Sequence, residues 1–261
     1  MKKVIYLFIL INIISLQADA QWIAQNSGTN ENLYDIEFLN NRIGWAVGDA
    51  GVVIKTTDGG TNWLNVTNPS GQYGGLLWSV WPVDSEVVYI VAGYDFIMKT
   101  NNGGANWNIL SGRPGSITAF ISVYFLNRDT GWFLGTNKVF RTYDGGNTLD
   151  SFFAPWFTNS DIYFKDIRNG VFCGDGRVFK STDSGESWLN THVPVGGSFP
   201  MFQKLGIFEE NIWIGGGNPK IYKTTNFGDD WFICDSSLGA VSLNFTSEKN
   251  GYNRRWIKYS L

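Results

Sequence analysis

The acids and amides whose types and spacing could do chemistry fall in five short boxes. They read Thr56-Thr-Asp58-Gly-Gly60-Thr-Asn-Trp63, Thr100-Asn-Asn102-Gly-Gly104-Ala-Asn-Trp107, Thr142-Tyr-Asp144-Gly-Gly146-Asn-Thr-Leu149, Ser181-Thr-Asp183-Ser-Gly185-Glu-Ser-Trp188 and Thr224-Thr-Asn226-Phe-Gly228-Asp-Asp-Trp231. A carboxylate among glycines can ligate calcium or act as a general acid. A calcium loop, however, needs several oxygen ligands at closely alternating positions, and the boxes lack that alternation. The pattern Ser/Thr-x-Asp/Asn-x-Gly-x-x-Trp answers instead the needs of a tight hairpin. Asp or Asn bonds backbone amides ahead of it, Gly supplies a positive φ, and the Trp opens a strand with a large apolar ring. Asp58, Asp144, Asp183, Asn102 and Asn226 are therefore expected to form turns, and no metal or cofactor is implied.

Other reactive groups are sparse. His192 is the only histidine, so no His or His/Cys zinc cluster can be built. Gly215-Gly216-Gly217 falls in phase with a hairpin turn and is not a phosphate cradle, and no serine elbow is present. Cys173 and Cys234 leave two readings open, a disulfide or two thiols. Asn65-Val-Thr67 and Asn244-Phe-Thr246 fit the glycosylation sequon, a pattern common by chance.

The elements that must position the boxes repeat with them. The last box residues lie 44, 42, 39 and 43 residues apart, a period that signals an array of small units. Upstream of each box comes a β-rich segment (33–39, 77–83, 121–126, 161–164 and 205–208), then a polar turn. A second apolar strand follows around Trp45, Tyr89, Trp132, Phe172 and Trp213. Next come a Gly-rich turn and a strand ending in a cation: Lys55, Lys99, Arg141, Lys180 or Lys223. Four short antiparallel strands per repeat make the fold class all-β, a single propeller of four-stranded blades with no helical solenoid character. Aromatics at 16% and 31 Gly agree with many tight turns between aromatic-packed strands.

Residues 1–20 read as a signal peptide. Lys2 and Lys3 precede an apolar run from Val4 to Leu16, and Ala18-Asp19-Ala20 supplies a cleavage site, so the domain is expected to span 21–261. An uncleaved anchor is the alternative, but the run is well short of the ~20 residues that cross a bilayer. Secretion, or export to a periplasm or cell envelope, follows, with no membrane span after cleavage. The mature chain carries 18 cations against 22 carboxylates, a balance that disfavours nucleic-acid binding.

A sixth blade is expected to be shared by the chain ends. Val241 to Tyr252 aligns with the first two strands of a repeat and Trp256-Ile-Lys258 with the third. Gln21-Trp22 matches Asn62-Trp63, the start of a fourth strand. Such closure removes exposed sheet edges. A frame cut from a larger propeller is the other reading.

These boxes resemble the Asp-box, or BNR, repeats of sialidases and related propellers. The fuller unit from Ile43 to Trp63 closely resembles the photosystem II stability and assembly factor-like family. That resemblance implies a propeller with its boxes on the face away from the ligand-binding mouth, and it leaves function open, because one scaffold hosts many activities. Leu149 departs from the family's Trp, and Asn102 and Asn226 from its Asp. A sialidase needs an arginine cluster that begins in a Phe/Tyr-Arg-Ile-Pro motif; Asn41-Arg42-Ile43-Gly44 lacks the aromatic and the proline. The expectation is a non-enzymatic, monomeric module that binds another protein in assembly or at the cell surface. A glycan-binding or glycoside-hydrolysing propeller is the alternative.

The candidate binding face is opposite the boxes. Its turns between second and third strands carry Asp49, then Tyr94 and Asp95, then Lys138, Arg177, Lys220 and Arg254-Arg255. One half of the ring is thereby basic, suited to an acidic partner, although hairpin tips favour polar residues in any case. Loops on a rigid scaffold, such as those around Tyr73, Arg113 and Phe199, are where recognition usually lives.

Overall fold

The computed structural model describes residues 25–66, 75–93, 95–111, 119–155, 160–194, 202–216, 220–235, 242–245 and 251–254. Residues 1–20, expected to be a signal peptide, lie outside the described residues. Five four-stranded antiparallel sheets follow one another along the chain. The first holds β1 (Leu33–Phe38), β2 (Gly44–Gly48), β3 (Val53–Thr56) and β4 (Leu64–Asn65). The second holds β5 (Leu77–Pro82), β6 (Val88–Ala92), β7 (Phe96–Thr100) and β8 (Asn108–Ser111). The third holds β9 (Phe120–Phe125), β10 (Gly131–Gly135), β11 (Lys138–Thr142) and β12 (Asp150–Phe153). The fourth holds β13 (Asp161–Phe164), β14 (Gly170–Gly174), β15 (Arg177–Ser181) and β16 (Leu189–Thr191). The fifth holds β17 (Phe202–Phe208), β18 (Asn211–Gly216), β19 (Ile221–Thr224) and β20 (Phe232–Asp235). A hairpin of β21 (Ser242–Phe245) and β22 (Gly251–Arg254) completes the described chain and packs β21 against β17.

This is the expected all-β propeller of four-stranded blades, with a correction to its count. Among the described residues five blades are complete, not six, and the sixth repeat appears there as the hairpin β21–β22 alone. The strand expected to close it begins at Trp22, outside the described residues. Residues 25–32 are irregular because their own side chains hold them in turns: Gly28 N donates to Asn26 Oδ1 at 3.0 Å and Glu31 N to Thr29 Oγ1 at 3.1 Å. Such local bonds compete with a strand ladder.

The burial pattern explains the sequence of each blade. Second strands are covered on both faces by neighbouring blades, so β2, β6, β10 and β14 are buried throughout and read as unbroken apolar runs. Fourth strands lie outermost, leaving Leu64, Phe153 and Leu189 exposed. The core is a series of layers between blades. Trp45, Val47 and Val53 of the first blade pack with Leu77, Val88 and Trp107 of the second, and Tyr89 and Ile97 of the second pack with Phe125 and Phe133 of the third. The polar turns between first and second strands share one device. Asn40, Asp84, Asn127 and Asp166 each accept two backbone amides through one side-chain oxygen, at 2.8–3.0 Å.

Candidate functional site

Each box folds into a closed hydrogen-bonded turn between third and fourth strands. In the first, Gly60 N donates to Thr56 Oγ1 at 2.9 Å, and Thr56 Oγ1 donates to Asp58 Oδ1 at 2.9 Å. Asp58 then accepts from Asn62 N at 2.9 Å and from Asn62 Nδ2 at 2.8 Å. The same hydroxyl-to-amide geometry recurs around Asn102, Asp144, Asp183 and Asn226. Bonds from the Asn62 side chain and backbone, with Thr56, hold the Asp58 carboxyl below the usual range, and those from Thr148 do so for Asp144. Carboxylates spent in this way are turn formers.

The box is also a socket for the preceding blade. Lys55 Nζ, 4.7 Å from the centre of the Trp45 ring, donates to Gly103 O of the second box at 2.9 Å. Lys99 repeats this over Tyr89, reaching Gly145 O of the third box at 3.0 Å. Arg141 donates to Glu186 in the fourth box at 3.1 Å, and Lys180 to Asp229 in the fifth at 2.5 Å. In the first four blades the cation before the box thus joins one blade to the box of the next. Gly104 shows how close the approach is: its φ is +93°, and an added Cβ would lie 2.6 Å from Trp45 Cη2. Trp107 meets the same Trp45 edge-on at 6.0 Å.

The inner strands β1, β5, β9, β13 and β17 surround a central channel, where a cavity of roughly 210 Å³ opens. Strand register puts Asp35, Ser79, Ser122, Asp161 and Lys204 at one equivalent position around it, opposite Val47, Val91, Leu134, Cys173 and Gly215 of the second strands. In the first, second, third and fifth blades a register shift just before this position redirects the side chain. Asp35 Oδ2 accepts Val80 N of the next blade at 3.0 Å, and Asp161 Oδ2 accepts Leu205 N at 3.2 Å while its Oδ1 accepts the Ser122 hydroxyl at 2.9 Å. Lys204 Nζ sits between the two acids, 3.1 Å from Asp35 Oδ1 and 3.9 Å from Asp161 Oδ2.

One pleat along the channel stand Glu37, Trp81, Tyr124, Tyr163 and Gly206. Trp81 lies 4.6 Å from Tyr124, and Tyr124 lies 5.2 Å from Tyr163, so three rings form one wall. Burial pushes the Glu37 carboxyl up to about 8; Asp35 and Asp161 push the same way and Lys204 opposes them. Lys204 itself is held well above the usual lysine range, because Asp161, Asp35 and Glu37 together outweigh its burial.

The residues expected to bind are placed less tightly. Lys138 opens β11 and Arg177 opens β15, both exposed, at equivalent turns on the end of the blades away from the boxes. Lys220 precedes β19 and is half-buried. Arg254 ends β22, and Arg255 lies outside the described residues. The loops around Tyr73, Arg113 and Phe199 also lie outside them. On the first blade Asp49 is not free for a partner, since it accepts from Tyr34 OH at 2.7 Å and Asn32 Nδ2 at 2.8 Å. Sequence reasoning missed the channel set of Asp35, Glu37, Asp161 and Lys204. The available signal was a polar residue, Asp35, Ser79, Ser122, Asp161 or Lys204, recurring at one repeat position of the first strand.

These features define a β-propeller of four-stranded blades that are joined through the turns between third and fourth strands. Over residues 14–120 its repeat matches the family described as photosynthesis system II assembly factor YCF48. No curated protein matches the sequence. Among solved structures, the chain is similar to YCF48 bound to D1 peptide, with 16% identity, TM-score 0.57, and coverage of 90% of this chain and 92% of that one. YCF48 from Cyanidioschyzon merolae gives 14% identity and TM-score 0.55 over 83% and 89%. A GH74 enzyme from Niastella koreensis gives 16% identity and TM-score 0.64, covering 82% of this chain but 42% of that one. At such identities the likeness concerns the fold.

Proposed function

We propose that the protein is an exported, non-catalytic propeller that binds an extended acidic segment of another protein and assists its assembly. The binding face is the one opposite the boxes, and the molecule acts as a monomer. The observation that carries this reading is a contrast among cations. Lys55, Lys99, Arg141 and Lys180 are consumed by the boxes. Lys138 and Arg177 are exposed at equivalent turns of adjacent blades and make no ion pair among the described residues. Likeness to a YCF48 solved with a bound peptide supports a protein partner, and the lysine start and apolar run of residues 2–16 support export.

Capture of envelope proteins on immobilised protein, compared with the Lys138→Glu/Arg177→Glu double variant, tests the reading. Hydrated rim charges steer encounter in a salt-dependent manner and contribute little to folding. The variant should melt at the wild-type temperature yet lose capture, most at low salt. Equal capture at low salt rejects the basic turns as the binding face, and turnover of chromogenic glycosides or sialosides rejects the non-catalytic reading. Exported protein that begins at Gln21 is expected on N-terminal sequencing.

A further inference from the structure

We propose that the channel cavity is a binding site for a single ammonium or guanidinium group, with Glu37 as the carboxylate that pairs with it and Trp81 and Tyr163, backed by Tyr124, as its aromatic face. Four observations converge on this assignment. First, three carboxyl groups, those of Asp35, Glu37 and Asp161, line the cavity beside a single lysine, so it has the capacity to pair one further cation. Second, the carboxyl left over is identified. Asp35 and Asp161 are spent on Lys204 and on backbone amides, while the Glu37 side chain, which lines the cavity, accepts no hydrogen bond among the described residues.

Third, the aromatic wall is fixed in place, because Trp81 Nε1 donates to Phe125 O at 3.0 Å. Ring faces attract cations, and more strongly when water is excluded. Fourth, a cavity of roughly 210 Å³ lies below the ~300–1,000 Å³ of pockets that enclose drug-sized ligands, so it takes a side-chain-sized group and not a run of sugars. A divalent metal fits poorly. Lys204 Nζ already occupies the point between Asp35 and Asp161, and among the described residues no three His, Cys, Asp or Glu are grouped to hold one.

The groups facing Glu37 set the pH dependence. They are Asp35 on its own strand, Asp161 and Tyr163 on β13, and Lys204 on β17; β5 presents Ser79 and Trp81, which do not titrate, Tyr124 on β9 packs on the Trp81 and Tyr163 rings without lining the cavity, and Cys173 on β14 lies behind Asp161. Because Glu37 holds its proton up to about pH 8, a cationic guest that pairs with it must expel that proton. Affinity then rises by about tenfold per pH unit below 8 and levels off above. A free amine and the Lys or Arg side chain of a docked segment share this chemistry.

The test is calorimetry of the full mature chain with methylguanidinium, butylammonium, neutral butanol, butyrate, and a pentapeptide with one central arginine among glycines and serines. Each titration is run in two buffers of different ionisation enthalpy. The expected result is binding of the cations with close to one proton released at pH 7. Glu37→Gln should weaken binding at least tenfold and abolish proton release, with circular dichroism confirming the fold. If the peptide alone binds, the group is delivered on a side chain; if the free cations bind as well, the group alone suffices. Either result supports the site whether or not Lys138 and Arg177 dock a partner. Absence of cation binding, preference for butyrate, or equal affinity in Glu37→Gln overturns it. Should Glu37→Gln fail to fold, cation binding to wild type without proton release overturns it equally.

Discussion

Lys204 and Asp35 meet across the channel, Nζ 3.1 Å from Oδ1, although 169 residues separate them. The pair joins the inner strand of the fifth blade to that of the first, on the side of the ring where the sixth repeat contributes β21 and β22. Removing one partner of an enclosed ion pair leaves the other charge uncompensated and typically costs about 3–5 kcal/mol. Lys204 keeps a quarter of its side chain exposed, so the lower end of that range applies, about 3 kcal/mol. Lys204→Met should therefore lower the melting temperature clearly. The loss should be greater at pH 9 than at pH 6, where Glu37 carries its proton. A loss of the same size at both pH values would separate Lys204 from the Glu37 charge.

Glu37 gives wild type its own pH signature. Its folded pKa, about 8, stands above its ordinary value of 4.5, so between those values the folded state holds a proton that the unfolded chain has released. Stability from this group is full below pH 4.5 and is lost as pH rises through 8. The box acids act oppositely. Asp58 and Asp144 are depressed by their hydrogen bonds, so their contribution is present above the ordinary carboxylate range and is lost in acid. From this group, melting temperatures should fall as pH rises from 5 to about 8 in wild type and level off above, and the fall should be lost in Glu37→Gln. An unchanged slope over that interval in the variant assigns the titration to another group.

The box cations yield a separate stability test. Lys99 Nζ bonds Gly145 O and lies 5.2 Å from the Tyr89 ring centre, and its burial lowers the ammonium pKa. Lys99→Met keeps the apolar stem, and Gly145 O keeps the Tyr89 hydroxyl at 3.0 Å. The cost is then that of one charge-assisted hydrogen bond and a cation–π contact, about 2 kcal/mol. For a chain of this size that corresponds to a fall of about 4–8 °C. Thermal melts that coincide would show that Lys99 does not join the second and third blades.

Much of this fold was legible because its signals are local and repeated. The box pattern, the apolar second strand and the preceding cation each recur in phase, and five blades carry them in register. Blade count was harder to read, since strand likeness at Trp22 and Trp256 says nothing of which competing local bonds form at Asn26, Ser27 and Thr29. The channel was hidden for another reason. Asp35 and Lys204 look like isolated charges in separate apolar strands until the ring brings them together, and the register shifts that redirect them leave no mark in the pattern. The cations were visible as a repeat, yet their reach into the next blade's box is a tertiary fact.

Cysteine chemistry separates the two readings that the sequence left open. Cys234 is exposed, with Sγ 3.4 Å from Ile221 O, and Cys173 is buried on β14, where burial first and Asp161 second raise its thiol pKa. The two are not bonded to each other. A thiol reagent should therefore modify one cysteine in the native protein and two after unfolding, with peptide mapping placing the first label on Cys234. Native protein without a reactive thiol would restore the disulfide.

Two glycines of the second blade should respond in opposite directions to the same change. Gly104 has φ +93°, and its added Cβ would meet Trp45 Cη2 at 2.6 Å and Val66 Cγ1 at 3.0 Å, in the layer that joins the first two blades. Trp45 is fully buried and cannot give way without disturbing Trp107. Gly104→Ala combines a left-handed backbone cost with overpacking, about 2–4 kcal/mol together. At Gly93 the nearest atom is Trp78 Nε1 at 3.6 Å, an ordinary contact, and the backbone is outside the left-handed region. There the loss of unfolded-state freedom dominates, and Gly93→Ala should be neutral or stabilising by up to about 1 kcal/mol. Denaturant midpoints measured side by side test both, and a Gly104→Ala protein as stable as Gly93→Ala would mean that the Trp45 layer is looser than its packing indicates.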